Sequence, residues 1–481
     1  MKKSRILGVA VAATLAMGIS SSAFATDGYQ LIGIGQYAMG MGGAVVAAPD
    51  DPLSAAMSNP AGLALLAPQA AFSAEIFNPT RKTNMGFGEI GSHSNVYGVP
   101  AIGWVAPAFG DGIVFGGGVY GTSGLGVNYL QQVPSGVEAG IQQQLEQNGL
   151  SPQVASQYAS QYAAQLPGGP SFNNSYIQSF SSITFMQLAP SIAMKVNHHL
   201  AVGATLNVAA EQASFQQTMT GYAPGEVMNQ KGEIVPVPGG VAQTGGLNLS
   251  SPSWAYGVGF TLGALYQVND MVTLGFTYKS PIWFTPLTWQ AGTQNGPGGA
   301  TGAAGQYSGH LNYPQQIALG LAIHPTKQWL ISVEGQWINW RSTLNTFNIY
   351  GPWTDAQGNA QGSVSLGTHW SNQWVANIGT QYDVNNWLQV RAGYTYGSNP
   401  IQASNIGNNI LFPAVVENAI TFGSTQKLGM GWKLTEAYMH AFANTLTGAA
   451  GSSPFAQNGG TQAPSATLAE NSFGLQVGYD F

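Results

Sequence analysis

The sequence predicts an all-β protein, a transmembrane antiparallel β-barrel of about 14 strands. Charged residues make up only 7% of the 481 residues, whereas soluble domains carry ~25%. Beyond the N-terminal segment, no stretch offers the ~18 consecutive apolar residues of a membrane-spanning helix. Several segments instead alternate apolar with small or polar residues, which is typical of strands that face lipid on one side and a lumen on the other.

Residues 1–25 are predicted to form a cleaved signal peptide. Lys2, Lys3 and Arg5 precede a short apolar stretch that ends in the small-x-small pattern Ala23-Phe24-Ala25. A retained membrane anchor is disfavoured because the apolar stretch is shorter than the ~20 residues needed to span a bilayer. Removing those three residues from 13 basic residues leaves 10 against 19 acidic ones, and this acidic balance argues against a nucleic-acid partner.

The alternation is clearest in the last nine residues, "FGLQVGYDF". Its apolar side chains fall on one face, while glycine, glutamine and aspartate fall on the other. The pattern recurs in "YGVGFTLGALY" (256–266), "VTLGFTY" (272–278) and "LQVRAGYTY" (388–396). A face of Gly, Thr, Gln and Asn suits a crowded lumen better than open solvent.

Short polar breaks alternate with long Gly, Ser, Asn and Pro-rich stretches along residues 67–481, the predicted barrel. Six short and seven long links connect 14 strands, and tight turns on one rim with long loops on the other are the outer-membrane arrangement. A 12-strand barrel would result if one weak pair near 69–107 were misread. The longest connection, 122–178, is predicted to be an extracellular loop. Within it, 136–166 is rich in helix formers and predicts a helical hairpin whose second helix begins at Ser151-Pro152.

The glycine-rich stretch 33–62 contains Gly33-x-Gly35-x-x-Ala38, a superficial match to a dinucleotide-binding fingerprint. That motif requires a βαβ unit, and none follows here. We expect instead a compact backbone that folds tightly inside the lumen, where its polar groups bond to one another or to lumen side chains. The Asp50-Asp51-Pro52 bend is a hypothetical point of response to a ligand or a lumen cation.

"GYQLIGIGQYAMGMGGAVVAAPDDPLSAAMSNPAGLALL" resembles the N-terminal hatch of the FadL/TodX family of outer-membrane transport proteins, with Asn59-Pro60-Ala61 as the hatch motif. "LGFTYKSPI", "LNYPQQIALGLAIHPTKQWLISVEGQWINW" and "GLQVGYDF" also resemble strands of that family. The resemblance implies a monomeric barrel in the bacterial outer membrane, plugged by a hatch over residues 26–66. It also implies passive uptake of long-chain fatty acids or related hydrocarbons, which leave into the membrane lipid through a lateral opening at an inward kink of the third strand.

Gly116-Gly117-Gly118 lies in the middle of the third predicted strand. Glycine within a strand marks bulges and sharp bends, so we expect the kink here. Tight packing against the hatch is the alternative explanation.

Candidate ligand contacts are apolar residues after the hatch motif and around the third strand, although ordinary packing explains any single one as well. They are Leu63, Leu65, Leu66, Phe109, Phe115 and Tyr120. Lys279 and Arg391 lie on polar strand faces, where either would suit a fatty-acid carboxylate. A solvated or ion-paired lumen charge is the alternative for both, which leaves neutral hydrocarbons open as substrates.

Other function classes fit less well. No Ser-His-Asp arrangement can be recognised, His198-His199 reads as a polar turn, and the chain contains no cysteine, so we expect neither an enzyme nor a metal or cofactor site. A general diffusion porin is the main alternative, but it would lack a hatch and would line its lumen with many charges.

Overall fold

The computed structural model describes residues 27–110, 112–133, 142, 145–146, 149–165, 175–223, 226–228, 234–236, 241–456 and 459–481. The predicted signal peptide and most of the first helix of the predicted hairpin lie outside these ranges. The helices are α1 (Gln36–Gly40), α2 (Pro52–Met57), α3 (Pro152–Gln165) and α4 (Arg341–Leu344), with 3-10 turns at Pro60–Leu65, Pro297–Gly299 and Ala403–Asn409. Among the described residues, no helix has both the length and the apolar character to cross a membrane.

Strands make up most of the described chain. They are β1 (Gln69–Asn84), β2 (Glu89–Gly91), β3 (Tyr97–Val105), β4 (Ile113–Val133), β5 (Ser175–Leu188), β6 (Ser191–Lys195), β7 (Leu200–Ala223), β8 (Glu226–Met228), β9 (Ile234–Pro236), β10 (Val241–Asn269), β11 (Val272–Lys279), β12 (Trp283–Phe284), β13 (Leu287–Ala291), β14 (Gln294–Asn295), β15 (Thr301–Gly302), β16 (Gly305–Gly309), β17 (Gln316–Thr326), β18 (Trp329–Ile338), β19 (Phe347–Thr354), β20 (Ala360–Leu366), β21 (Gln373–Asp383), β22 (Leu388–Gly397), β23 (Asn418–Gly429), β24 (Trp432–Thr447) and β25 (Ser465–Asp480).

The wall is a closed antiparallel barrel of 14 strands, as the alternation predicts. In order around the barrel they are β1, β3, β4, β5 with β6, β7, β10, β11, β17, β18, β21, β22, β23, β24 and β25. β5 and β6 count as one wall strand, because both pair with β4 on one side and with β7 on the other. β1 pairs with β25 along its whole length, from Gln69↔Asp480 to Asn84↔Ser465. This pairing closes the barrel and removes its open edges.

The turns also follow the prediction, while the bounds of the longest loop do not. Asn269-Asp270, one of the predicted short breaks, links β10 and β11 as a tight antiparallel pair. β4 reaches Val133 and β5 begins at Ser175, so the predicted loop 122–178 starts too early and ends slightly late. The Gly, Ser and Asn residues at both ends of this range favour a loop, yet residues 122–133 and 175–178 continue the ladder between β4 and β5. At the same rim, β13–β16, β19 and β20 form a separate small sheet.

Tryptophans divide between the outside and the inside of the barrel. Trp283, Trp374 and Trp387 are more than half exposed, as expected of an interfacial aromatic belt. Trp289, Trp340 and Trp370 are buried instead. They lie close to loops, where the alternation of residues does not predict which way a side chain points.

Residues 27–66 fill the lumen against the inner faces of the wall strands, and we call this segment the hatch. The inner faces make room for it with glycine. A Cβ atom added to Gly379 would lie 2.2 Å from the Met41 carbonyl oxygen, and one added to Gly393 would lie 2.4 Å from the Gly42 nitrogen. The glycines of the alternating strands thus form the seat of the hatch.

Candidate functional site

The Asn59-Pro60-Ala61 motif joins the hatch to the wall. The fully buried Asn59 side chain donates to the Val46 carbonyl at 2.7 Å and to the Ala264 carbonyl of β10 at 3.1 Å. Its own oxygen accepts from Ala61 N at 3.1 Å and caps the 3-10 turn. A buried amide that satisfies three backbone groups leaves none of them unpaired, which stabilises this junction.

The Asp50-Asp51-Pro52 bend is a helix start. The Asp51 carboxylate accepts from Ser54 N at 2.8 Å and caps α2, and Pro52 occupies the first helical position. The second Asp51 oxygen accepts from Gln476 of β25 at 2.7 Å. The bend is therefore tied to the wall by a hydrogen bond of its own.

Arg391 and Glu334 are inward-facing wall charges that hold the hatch. Arg391 donates to Gln381, Thr425 and Gln389 at 2.7–3.0 Å, and its guanidinium lies 4.7 Å from the ring centre of Tyr37. Glu334 accepts from Val45 N and Val46 N at 3.1 and 2.9 Å. Three of its five N–H donors are bonded to wall side chains, so Arg391 is a hatch contact in this arrangement, and its role as a carboxylate partner for substrate stays a prediction.

Lys279 lines a small polar cavity of about 40 Å³ between hatch and wall, together with Asp27 and Glu334. Burial raises the pKa of the Asp27 carboxyl group from 3.8 to about 7; the charge of Glu334 adds to this rise and that of Lys279 opposes it. Lys279 therefore lies near acidic groups of both the hatch and the wall.

The third wall strand, β4, changes its partners halfway along. Residues 116–120 of β4 pair with residues 101–105 of β3, and Ala101↔Tyr120 is the last pair. Beyond it, residues 97–100 of β3 keep their pairing with β1 but do not pair with the described residues of β4. Every residue of β4 from Tyr120 to Val127 is buried, so the alternation of inner and outer residues is lost. The upper part of β4 has moved off the wall line into the barrel.

Hatch main chain takes the place of β3 along the displaced part of β4. Gln30 forms an antiparallel bridge with Ser123. The Leu31 nitrogen donates to Thr122 O at 3.4 Å, and the Gly124 nitrogen donates to Tyr29 O at 3.2 Å. The wall strand is thereby bonded directly to the first residues of the hatch.

The β3–β4 pairing is therefore interrupted above the Ala101↔Tyr120 pair, and we call this interruption the window. At its upper end, His93 N donates to Asn128 O at 2.8 Å. From inside, the buried Arg81 guanidinium donates to the carbonyls of Gly126 and Ser94 and to the Tyr97 hydroxyl. Hydrogen-bonded side chains, rather than a strand ladder, therefore fill this part of the wall.

Gly116-Gly117-Gly118, where the kink is predicted, lie below the stretch that meets the hatch main chain, and the partner of β4 changes there from β6 to β5. These residues still pair with β3, and a Cβ atom on Gly116 would lie 2.9 Å from the Leu63 side chain of the hatch. They serve close packing, the alternative considered above. The bend occupies residues 121–126, where the hatch supplies backbone partners that no local composition reveals.

A cavity of about 900 Å³ opens at the long-loop end of the barrel. Its lining is mixed: polar residues such as Gln217, Asn295 and His369 share it with the apolar residues Met219, Leu247, Leu366, Leu411, Phe412 and Phe455. Phe412 also contacts Phe215 of β7, with ring centres 5.6 Å apart. Sequence reasoning misses this cavity, because its lining residues come from seven separate segments of the chain.

The six predicted ligand residues do not come together. Phe109 and Leu65 are 74% and 51% exposed, and Phe115 is 50% exposed on the outer face beside Ile192. These three cannot line a pocket inside the barrel. Leu63 and Leu66 pack between hatch and wall, and only Tyr120 faces the lumen near the window, where its hydroxyl accepts from Gln187 at 3.2 Å.

A plugged 14-strand barrel with a partly apolar cavity at one end is typical of outer-membrane channels for hydrophobic compounds. Residues 156–481 match the family model described as outer membrane protein transport protein (OMPP1/FadL/TodX), and the chain belongs to this family. Its members are transport channels, not enzymes. A comparison with curated protein sequences finds no match.

Solved structures share the fold. A FadL homologue from Pseudomonas aeruginosa superposes with a TM-score of 0.62 at 16% identity, over 94% of this chain and 100% of that one. The toluene transporter TodX of Pseudomonas putida gives 0.63 at 16% identity, over 94% and 99%. The toluene transporter TbuX of Ralstonia pickettii gives 0.60 at 19% identity, over 94% and 99%.

Proposed function

We propose that this protein takes up hydrophobic compounds passively, long-chain fatty acids or related hydrocarbons, and releases them sideways through the window between β3 and β4. The observation that carries the proposal is the displacement of β4 residues 121–127 from the wall onto the hatch. A solute that leaves there enters membrane lipid without crossing water. The expected setting is a monomer in the outer membrane.

Capture begins in the 900 Å³ cavity at the long-loop end. Each methylene buried there contributes ~0.8 kcal/mol, so an apolar lining binds an oily solute without any specific chemistry. The loops that line the cavity belong to several separate connections between strands. They can therefore move apart without breaking hydrogen bonds between the barrel strands.

Passage from the cavity to the window requires the hatch to rearrange. Tyr29 and Gln30 occupy the space behind the window and are bonded to the displaced strand. Residues 27–31 are held by backbone hydrogen bonds, by ring contacts of Tyr29 and by a hydrogen bond from the Gln316 side chain to that of Gln30, whereas Asn59, Glu334 and Arg391 anchor the rest of the hatch. Movement is therefore expected at the start of the hatch, and the remainder stays seated.

The hatch also weighs against a general diffusion porin. Its side chains are buried against the wall, with Tyr37, Met41 and Val45 at most 2% exposed. A lumen filled in this way leaves no wide aqueous path for ions.

The test is uptake in a host that lacks its own transporter, supplied in parallel with oleate and with toluene. We expect this chain to restore uptake of at least one of them, and a chain with Phe412→Asp, which places a charge in the cavity lining, to restore it poorly. The matched control is Tyr350→Asp, at an exposed ring outside the cavity. Failure to restore uptake of either compound, with the barrel present in the membrane, would contradict the proposal.

A further inference from the structure

Glu211 is a carboxylic acid buried in the lumen without a hydrogen-bond partner among the residues that the structure describes. It lies on the inner face of β7 and is 0% exposed, and neither carboxyl oxygen accepts a hydrogen bond from any residue that the structure describes. Its neighbours on the same face, Ala209 and Ala213, are short and apolar. Burial of a carboxyl group in this way is costly unless something pairs with it.

The position of Glu211 puts it at the level of the window. Glu211 pairs across the ladder with Phe185 of β5, and Phe185 pairs in turn with Ser123 of β4. Ser123 is the residue that bridges to the hatch. The carboxyl group therefore lies two strands from the displaced part of β4, on the inner side.

Aromatic rings surround this part of the lumen. Tyr29 of the hatch stacks on Phe185, with ring centres 5.4 Å apart and planes at 7°. Tyr313 meets Phe185 edge-on at 5.3 Å, and Trp340 lies 4.4 Å from Tyr29. Rings in stacked and edge-on contact prefer a flat aromatic partner over an aliphatic chain.

The Tyr29 hydroxyl is a second buried polar group that makes no hydrogen bond within the described residues. Burial raises the pKa of Tyr29, and the nearby Tyr313 and Glu211 add to the rise. One movable hatch residue and one fixed wall residue thus each present an unsatisfied polar atom to the same aromatic region.

We infer that Glu211 accepts a hydrogen bond from a donor group on an aromatic solute, so that this channel favours neutral rings bearing one hydroxyl or amino group over plain hydrocarbons. This inference rests on the proposed uptake function. Displacement of Tyr29 would open the space, Phe185 and Trp340 would hold the ring, and the carboxyl group would take the donor. The unpaired acid is then satisfied when the solute is bound.

The experiment compares p-cresol with p-xylene, two rings of similar size in which a hydroxyl replaces a methyl group. In purified protein in detergent, with tryptophan fluorescence as the readout, we expect p-cresol to bind at least tenfold more tightly. Glu211→Leu should reduce p-cresol binding to the level of p-xylene, and Glu211→Gln should retain part of the preference through its amide carbonyl. p-Toluidine, a neutral amine donor, should follow p-cresol, and anionic p-toluate should bind worst.

Glu75→Gln is the matched control, because Glu75 is also buried in the lumen but is bonded to Ser472; it should leave the preference unchanged. Heat-modifiable migration in gels shows that each variant is a folded barrel. Equal binding of p-cresol and p-xylene, or a preference that survives Glu211→Leu, would overturn the inference while leaving hydrophobic uptake intact. Binding of neither compound, together with no uptake in cells, would overturn the proposed function as well.

Discussion

The two halves of β4 differ in what holds them. In the lower half, residues 113–116 pair with β6 and residues 116–120 pair with β3. The upper half, Gly121–Val133, pairs with β5 on one side and meets the hatch instead of β3 on the other. We therefore expect a hatch movement that breaks these bonds to free the upper half of β4, and we expect the lower half of the strand to stay in place.

Deletion of residues 26–66 should have the largest effect. Without the hatch, the lumen opens and single-channel conductance in planar bilayers should rise at least tenfold. Amide exchange should accelerate in residues 121–127, which lose their hatch partners, and should stay slow in 116–120, which keep β3. High conductance before the deletion would favour a general porin.

Gly379→Leu should come next in size. A side chain at this inner position meets the Met41 carbonyl at 2.2 Å, and overpacking against a backbone costs ~1–3 kcal/mol or more. We expect a partly unseated hatch, measured as raised leak current. Gly335→Leu on the adjacent wall strand is the control, because a Cβ atom there meets nothing within 4 Å. Equal leak in both variants would show that the glycine seat is unimportant.

Asn59→Ala should give a smaller effect of the same kind. The substitution leaves the Val46 and Ala264 carbonyls without their donor, at ~1–3 kcal/mol for each buried group. The expected result is a lower melting temperature in detergent and a modest leak. Asn386→Ala in an exposed turn controls for the loss of an amide, and unchanged melting for Asn59→Ala would remove the proposed role of the motif.

The smallest expected effect concerns pH. The folded protein holds the pKa of Asp27 near 7, above its ordinary 3.8, so folding favours the protonated form. The stability that depends on this proton is present below pH 3.8 and is lost as the pH rises towards 7. Asp27→Asn should flatten the decline in melting temperature between pH 4 and 7. An identical pH profile in both proteins would contradict this assignment.

The barrel could be predicted from sequence because its cause is local. Alternation in a segment such as 473–481 reports lipid on one side and lumen on the other, whatever the neighbouring strands are. The seat of the hatch could be predicted only in part. The sequence shows that glycines occupy the inner faces of the strands, but their contacts with Met41 and Gly42 are known only once the hatch is folded.

The bend and the binding residues depend on distant segments, and composition cannot locate them. Gly116-Gly117-Gly118 and the stretch 121–126 look equally flexible in sequence, yet only the second meets Tyr29 and Leu31 of the hatch. In the sequence, Phe115 resembles a ligand contact, but in the folded strand its side chain lies on the outer face, towards the lipid. One signal in the sequence could have identified Glu211. It is a single acidic residue in an alternating strand with few charges, and an ionisable residue in a membrane-spanning segment indicates a functional site.

The most direct test of the window is to lock it. A Cβ atom on Gly121 would lie 3.3 Å from Cγ1 of Val99, close to disulfide geometry, and the chain has no cysteine of its own. Val99→Cys with Gly121→Cys should form a bond that ties upper β4 to β3 and abolishes uptake, and reduction should restore it. Ile102→Cys with Val119→Cys, in the paired lower half, should leave uptake unchanged in both states. Full uptake through the oxidised Val99–Gly121 protein would contradict lateral release at this window.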